Sequence, residues 1–121
     1  MEQQQNHNMT YRSVAQNFGD LIARKEYSAA WRLLAKEAQL SIAPEDIKAA
    51  VATMIAFAPG PIQVAQVIDD CVVENWPGKQ SGDLAVVYVA LTGKSFSEAV
   101  TLTLAQYSEA ILIRELAWGR P

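Results

Sequence analysis

Few side chains in this sequence have the type and spacing to do chemistry, and each has a plainer use. Acid–base catalysis needs a group of shifted pKa beside an apolar cavity, so the first groups to weigh are charges that interrupt apolar runs. Asp69 and Asp70 interrupt the run between Ile62 and Val73. Adjacent strand residues point to opposite faces, so at most one of the two, with Asp70 as the candidate, points into a cavity. A bulge with both carboxylates hydrated accounts for them more simply. Arg114 and Glu115 break a second run, between Ile113 and Leu116. One of them must face the more buried side. A cross-strand ion pair, with Glu98 as the partner of Arg114, explains the pair as well as ligand binding does. His7, the sole histidine, lies in a polar N-terminal stretch, and no cluster of metal-ligand spacing occurs. No catalytic residue, metal ligand or cofactor is therefore assigned.

Tyr11, Tyr27, Trp31, Tyr88 and Trp118 join Asp70 and Arg114 as candidates to line a cavity. Aromatics at these spacings are more often core, Trp31 above all. Trp76 sits in the loop Asn75-Trp76-Pro77-Gly78, where it either folds back as a plug or is offered to a partner. Cys71 reads as a small buried residue with no base beside it.

The elements that must position these residues follow from periodicity. Tyr11, Val14, Ala15, Phe18, Leu21 and Ile22 fall at helical spacing after the N-cap residue Thr10. Gly19 inside that helix implies a close neighbour. A second helix follows Ser28, with Ala30, Trp31, Leu34 and Ala38 as its stripe. A third opens at Pro44, with Glu45 and Asp46 in its first turn and Ile47, Val51, Met54, Ile55 and Ala58 on its apolar face. After Pro59-Gly60-Pro61 the period changes from 3.6 to 2. Residues 62–74 read as a long strand, and residues 84–91, 98–106 and 109–118 as three more. The connections are too short for crossovers, so the strands form an antiparallel meander. The fold class is α+β: three N-terminal helices packed on a curved antiparallel four-stranded sheet.

The 121 residues are 50% hydrophobic and 19% charged, which is globular composition. Residues 1–9 read as a disordered tail and 10–121 as one domain. The net charge of −3 lies wholly in the sheet half and argues against nucleic acid as a partner. The lone cysteine, the absence of an apolar run near the roughly 18 residues of a membrane span, and a start with neither basic nor apolar character point to a cytoplasmic protein.

The segment from Phe18 to Leu34, the helix start Pro44-Glu45-Asp46-Ile47-Lys48 and the closing Ile113-Arg114-Glu115-Leu116-Ala117-Trp118-Gly119-Arg120-Pro121 resemble the nuclear-transport-factor-2-like superfamily, including some bacterial members. The resemblance covers residues 10–121 and implies a conical sheet closed by helices. It implies no single activity, because the fold hosts both enzymes and binding modules. Its enzymes, such as ketosteroid isomerase, scytalone dehydratase and polyketide cyclases, place an Asp or His base in the cone. Other members are immunity and accessory proteins. The sequence departs from many members in lacking room for a β-hairpin between the second and third helices. The leading expectation is a non-catalytic binding or accessory protein, possibly of immunity type. The alternative is a small-molecule isomerase, dehydratase or carrier with an apolar pocket.

The strand from Leu84 to Leu91 carries no charge on either side. Helices cover one face of a single sheet, so the other face needs a partner. Val86, Tyr88 and Leu102 are the candidates for that face, and a homodimer is the expected assembly. A protein partner or a small apolar ligand is the further expectation.

Overall fold

The structure, a computed structural model, describes residues 10–56, 58 and 60–119. The expected tail, with His7, lies outside the described residues.

Helix α1 (Tyr11–Ala23) starts where the cap chemistry puts it. The Thr10 hydroxyl accepts from the Ser13 amide at 3.1 Å, and the Ser13 hydroxyl accepts from the Thr10 amide at 2.9 Å. Its buried stripe is Val14, Ala15, Phe18, Gly19, Leu21 and Ile22. A Cβ on Gly19 would stand 2.8 Å from Val89 Cγ1 and 3.0 Å from Ala65 Cβ, so hydrogen is the only side chain that fits without a shift. The helix ends in a Schellman arrangement: the Glu26 amide donates to the Leu21 carbonyl and the Lys25 amide to the Ile22 carbonyl.

The expected second helix is two short ones, α2 (Tyr27–Trp31) and α3 (Lys36–Gln39), so among the described residues four α-helical segments stand before the sheet where three were expected. The backbone between them is drawn to the sheet. The Ile113 amide donates to the Leu33 carbonyl at 2.9 Å, and the Ala35 amide donates to the Ile113 carbonyl at 2.7 Å. A residue committed to a strand edge cannot also keep its helical bonds. Helix α4 (Pro44–Met54) opens on Pro44, and the Asp46 carboxylate accepts from the Ala43 amide at 2.8 Å.

Four strands follow: β1 (Ile62–Val67), β2 (Asp83–Gly93), β3 (Ser97–Tyr107) and β4 (Ala110–Trp118). They form one antiparallel sheet in chain order, as the short connections require. The first strand is shorter than expected. It stops at Val67, a 3-10 turn occupies Asp69–Cys71, and Val73 rejoins the sheet through a single bridge to Val86. Asp69 and Asp70 thus end the strand rather than bulge it.

One face of the sheet presents Ala85, Val87, Val89, Leu91, Val100, Leu102, Leu104 and Ile113 to the helices. Phe18, Ile22, Leu34 and Ile47 meet them, all below 2% exposed. Both sheet edges are engaged. On β4 the segment Leu33–Ala35 takes both polar groups of Ile113. On β1 the Gln16 carboxamide imitates a strand: its Nε2 donates to the Ala65 carbonyl at 2.8 Å and its Oε1 accepts from the Val67 amide at 3.1 Å.

Candidate functional site

The candidate cavity residues do not converge. Tyr11 stands at the start of α1, where its hydroxyl donates to the Glu74 carboxylate, and that bond raises its pKa. Trp31 is half-buried and donates from Nε1 to the Ile42 carbonyl, which ties α2 to the approach to α4. Asp70 is exposed in the 3-10 turn, and its neighbour Asp69 pairs with Arg12 at 3.0 Å. Cys71, expected inside, is exposed in that same turn. Tyr88 alternates with the buried Val87 and Val89 and so belongs to the sheet face away from the helices. Trp118 stacks tilted on Phe18 with ring centroids 6.2 Å apart and forms one wall of an open groove of about 590 Å³, facing Ala49, Ala50, Thr53 and Met54 of α4. Tyr27 lies in the wall of a separate hollow. Trp76 is half-buried in its loop, with the Lys79 ammonium 5.6 Å from its ring centroid.

Arg114 finds a different partner from the expected Glu98. Its Nε and a terminal nitrogen donate to the two carboxylate oxygens of Asp83 at 2.7 and 2.8 Å. The Asp83 side chain is 0% exposed and that of Arg114 is 17% exposed. Two irregularities in register make the contact. One falls between Asp83 and Ala85 on β2, and the other leaves Arg114 as an extra residue opposite Thr103 and Leu104. The guanidinium holds the Asp83 carboxyl below the usual carboxylate range, against the opposing effect of burial, and the Gln80 amide donates to it at 2.9 Å. Next to this pair the Tyr107 hydroxyl donates to Glu37 at 3.0 Å, and burial followed by Glu37 raises its pKa. Sequence reasoning passed over Asp83. The signal available was an acid placed directly between Gly82 and a long uncharged strand.

The face away from the helices is built from register. One row runs Val73, Val86, Thr103, Glu115, and the next runs Tyr88, Thr101, Ala117. Val64 at 52% and Val73 at 42% are the most exposed large apolar side chains of the sheet half. Leu84, Val86, Tyr88 and Ala90 are each half-buried. Leu102 does not belong to this face. It pairs with Val87, is 0% exposed and packs under the helices; the true neighbours of Val86 and Tyr88 on β3 are Thr103 and Thr101.

Among the described residues no cluster of His, Cys, Asp and Glu could hold a metal ion, and no helix is long and apolar enough to cross a membrane. No family model matches this chain, and no curated protein or solved structure shows significant similarity to it.

Proposed function

We propose that this chain is a non-catalytic binding or accessory protein of nuclear-transport-factor-2-like fold that works as a homodimer through the outer face of its sheet. The observation that carries the reading is the contrast between the two sheet faces. The helix side is packed under the middle of the sheet by Phe18, Ile22, Leu34, Ile47, Leu91, Leu102 and Leu104, so its open spaces lie only at the margins, away from a buried acid–base group. The buried carboxylate among the described residues, Asp83, is stabilised as an anion by Arg114 and is a poor general base. The isomerase and dehydratase alternative needs the opposite shift.

The outer face, by contrast, presents Val73, Val86, Tyr88, Val64 and Leu84, and β2 carries no charge from Leu84 to Gly93, beyond the Asp83 that Arg114 neutralises at one end. Strands β2 and β3 run 11 residues each, so the face measures on the order of 600 Å² in plan. That approaches the roughly 800 Å² per partner of a standard interface. With each edge interrupted midway, by Gln16 at Ala65 and Val67 of β1 and by Leu33–Ala35 at Ile113 of β4, a second copy docks face to face rather than by strand addition. Glu115 lies at the β4 margin of its row, so a twofold axis through the middle of the face keeps the two copies' carboxylates apart.

Three charge insertions test this. Tyr88→Asp should yield a folded monomer. Thr101→Asp, beside Tyr88 in the same outer row and half-buried, should also weaken the dimer. Leu102→Asp, one strand away but facing the helices, should unfold the chain. A Tyr88→Asp protein that keeps the mass of the wild type would overturn the reading.

A further inference from the structure

A hollow of about 320 Å³ opens between the end of α1, helix α4 and the start of β1. Its walls are the apolar side chains of Ile22, Val51, Ile55 and Ile62, together with Lys25 and Tyr27. The volume is at the lower end of the range of about 300–1,000 Å³ that small-molecule sites occupy, and an apolar wall with a few polar groups is their usual make-up.

Three further observations bear on the two polar residues. Lys25 takes a φ of 64°, the left-handed conformation at the end of α1 where glycine is preferred and any other residue is strained. A lysine there runs against the local backbone preference. The adjacent Glu26 carboxylate is engaged by Arg24 at 3.0 Å, and Lys25 forms no ion pair among the described residues. Tyr27 is half-buried as a residue, and its hydroxyl makes no hydrogen bond among the described residues. A lysine and a tyrosine thus both line an otherwise apolar hollow.

We propose that this hollow binds a small amphipathic carboxylate, of the medium-chain fatty-acid kind. Its carboxylate is taken by Lys25 and Tyr27, and its hydrocarbon lies on Ile22, Val51, Ile55 and Ile62. The charge complementarity selects an anion, and the volume selects a short chain. The site is on the helix side of the sheet and does not depend on the dimer face.

Isothermal titration of the full-length protein with octanoate tests it, with octanol as the uncharged comparison. The expected result is saturable binding of one octanoate per chain, with octanol at least about tenfold weaker. Lys25→Gly should weaken octanoate binding about tenfold and at the same time raise the melting temperature by a few degrees, because glycine relieves the left-handed strain. Tyr27→Phe should give a smaller loss with the fold intact. No saturable binding of octanoate, equal affinity for octanol, or unchanged affinity in Lys25→Gly would each overturn the proposal. The mass of the protein is read separately, so failure here leaves the dimer reading standing.

Discussion

Arg114 on β4 reaches over β3 to hold Asp83 on β2 through two charge-assisted hydrogen bonds of 2.7 and 2.8 Å. The pair fixes three strands to one another where both β2 and β4 depart from regular register. Such bidentate contacts combine charge with a fixed planar geometry.

Removing one partner leaves the other buried and unpaired. Arg114→Met should therefore destabilise the fold by about 3–5 kcal/mol at pH 7. The sign of the pH dependence follows from the direction of the Asp83 shift. In the wild type the folded carboxyl lies below its unfolded value, so its contribution is full above the ordinary carboxylate range and is lost as pH falls through the lower folded value. In the variant burial is opposed only by the Gln80 amide and the Lys79 charge, so the carboxyl rises from its wild-type value and the deficit should shrink as pH falls below about 4. Urea unfolding of both proteins from pH 7 to pH 3 checks this, and equal stability at pH 7 would contradict it.

Gly19→Ala sets two effects against each other. Helix propensity favours alanine by roughly 1 kcal/mol. The new Cβ would lie 2.8 Å from Val89 Cγ1 in a filled core, and overpacking of this kind costs about 1–3 kcal/mol. The net effect should be a lower denaturant midpoint. A Val89→Ala change in the same chain should recover part of the loss, and a stabilised Gly19→Ala single variant would show that the contact is soft.

Gln16→Ala should expose one edge of the sheet. The Val67 amide loses the side-chain acceptor that stands in for a neighbouring strand. Its hydrogen-exchange protection should fall by about five- to tenfold, in line with the loss of one hydrogen bond. Amides of β3, in the middle of the sheet, should be unaffected. Unchanged protection at Val67 would mean that something else covers the edge.

Much of the fold was legible because burial writes itself as periodicity. The stripe from Tyr11 to Ile22 is helix α1, and its cap lies at Thr10 as the sequence implies. The period of 2 after Pro61 marks the sheet, and short connections left only a meander. What escaped was set by long-range pairing. Leu34 fits a helical stripe, yet the strand edge at Ile113 claims the backbone on either side of it. Val72 and Val73 fit the alternation of β1, yet the turn at Asp69–Cys71 separates them from it. Leu102 alternates with threonines in sequence, and only the register against β2 places it under the helices. Asp83 and Gln16 were invisible for the same reason: their partners lie on strands that sequence spacing cannot align. Lys25 carried a weak local signal, a helix end without the glycine that such ends favour.

The central claim is that the outer sheet face is covered by a second copy of this chain. Light scattering on the full-length protein, coupled to size exclusion at micromolar concentration, tests it most directly. The account predicts a mass about twice 13.3 kDa, falling to one copy when Tyr88 is replaced by aspartate. A wild-type mass of 13.3 kDa across that concentration range would contradict it.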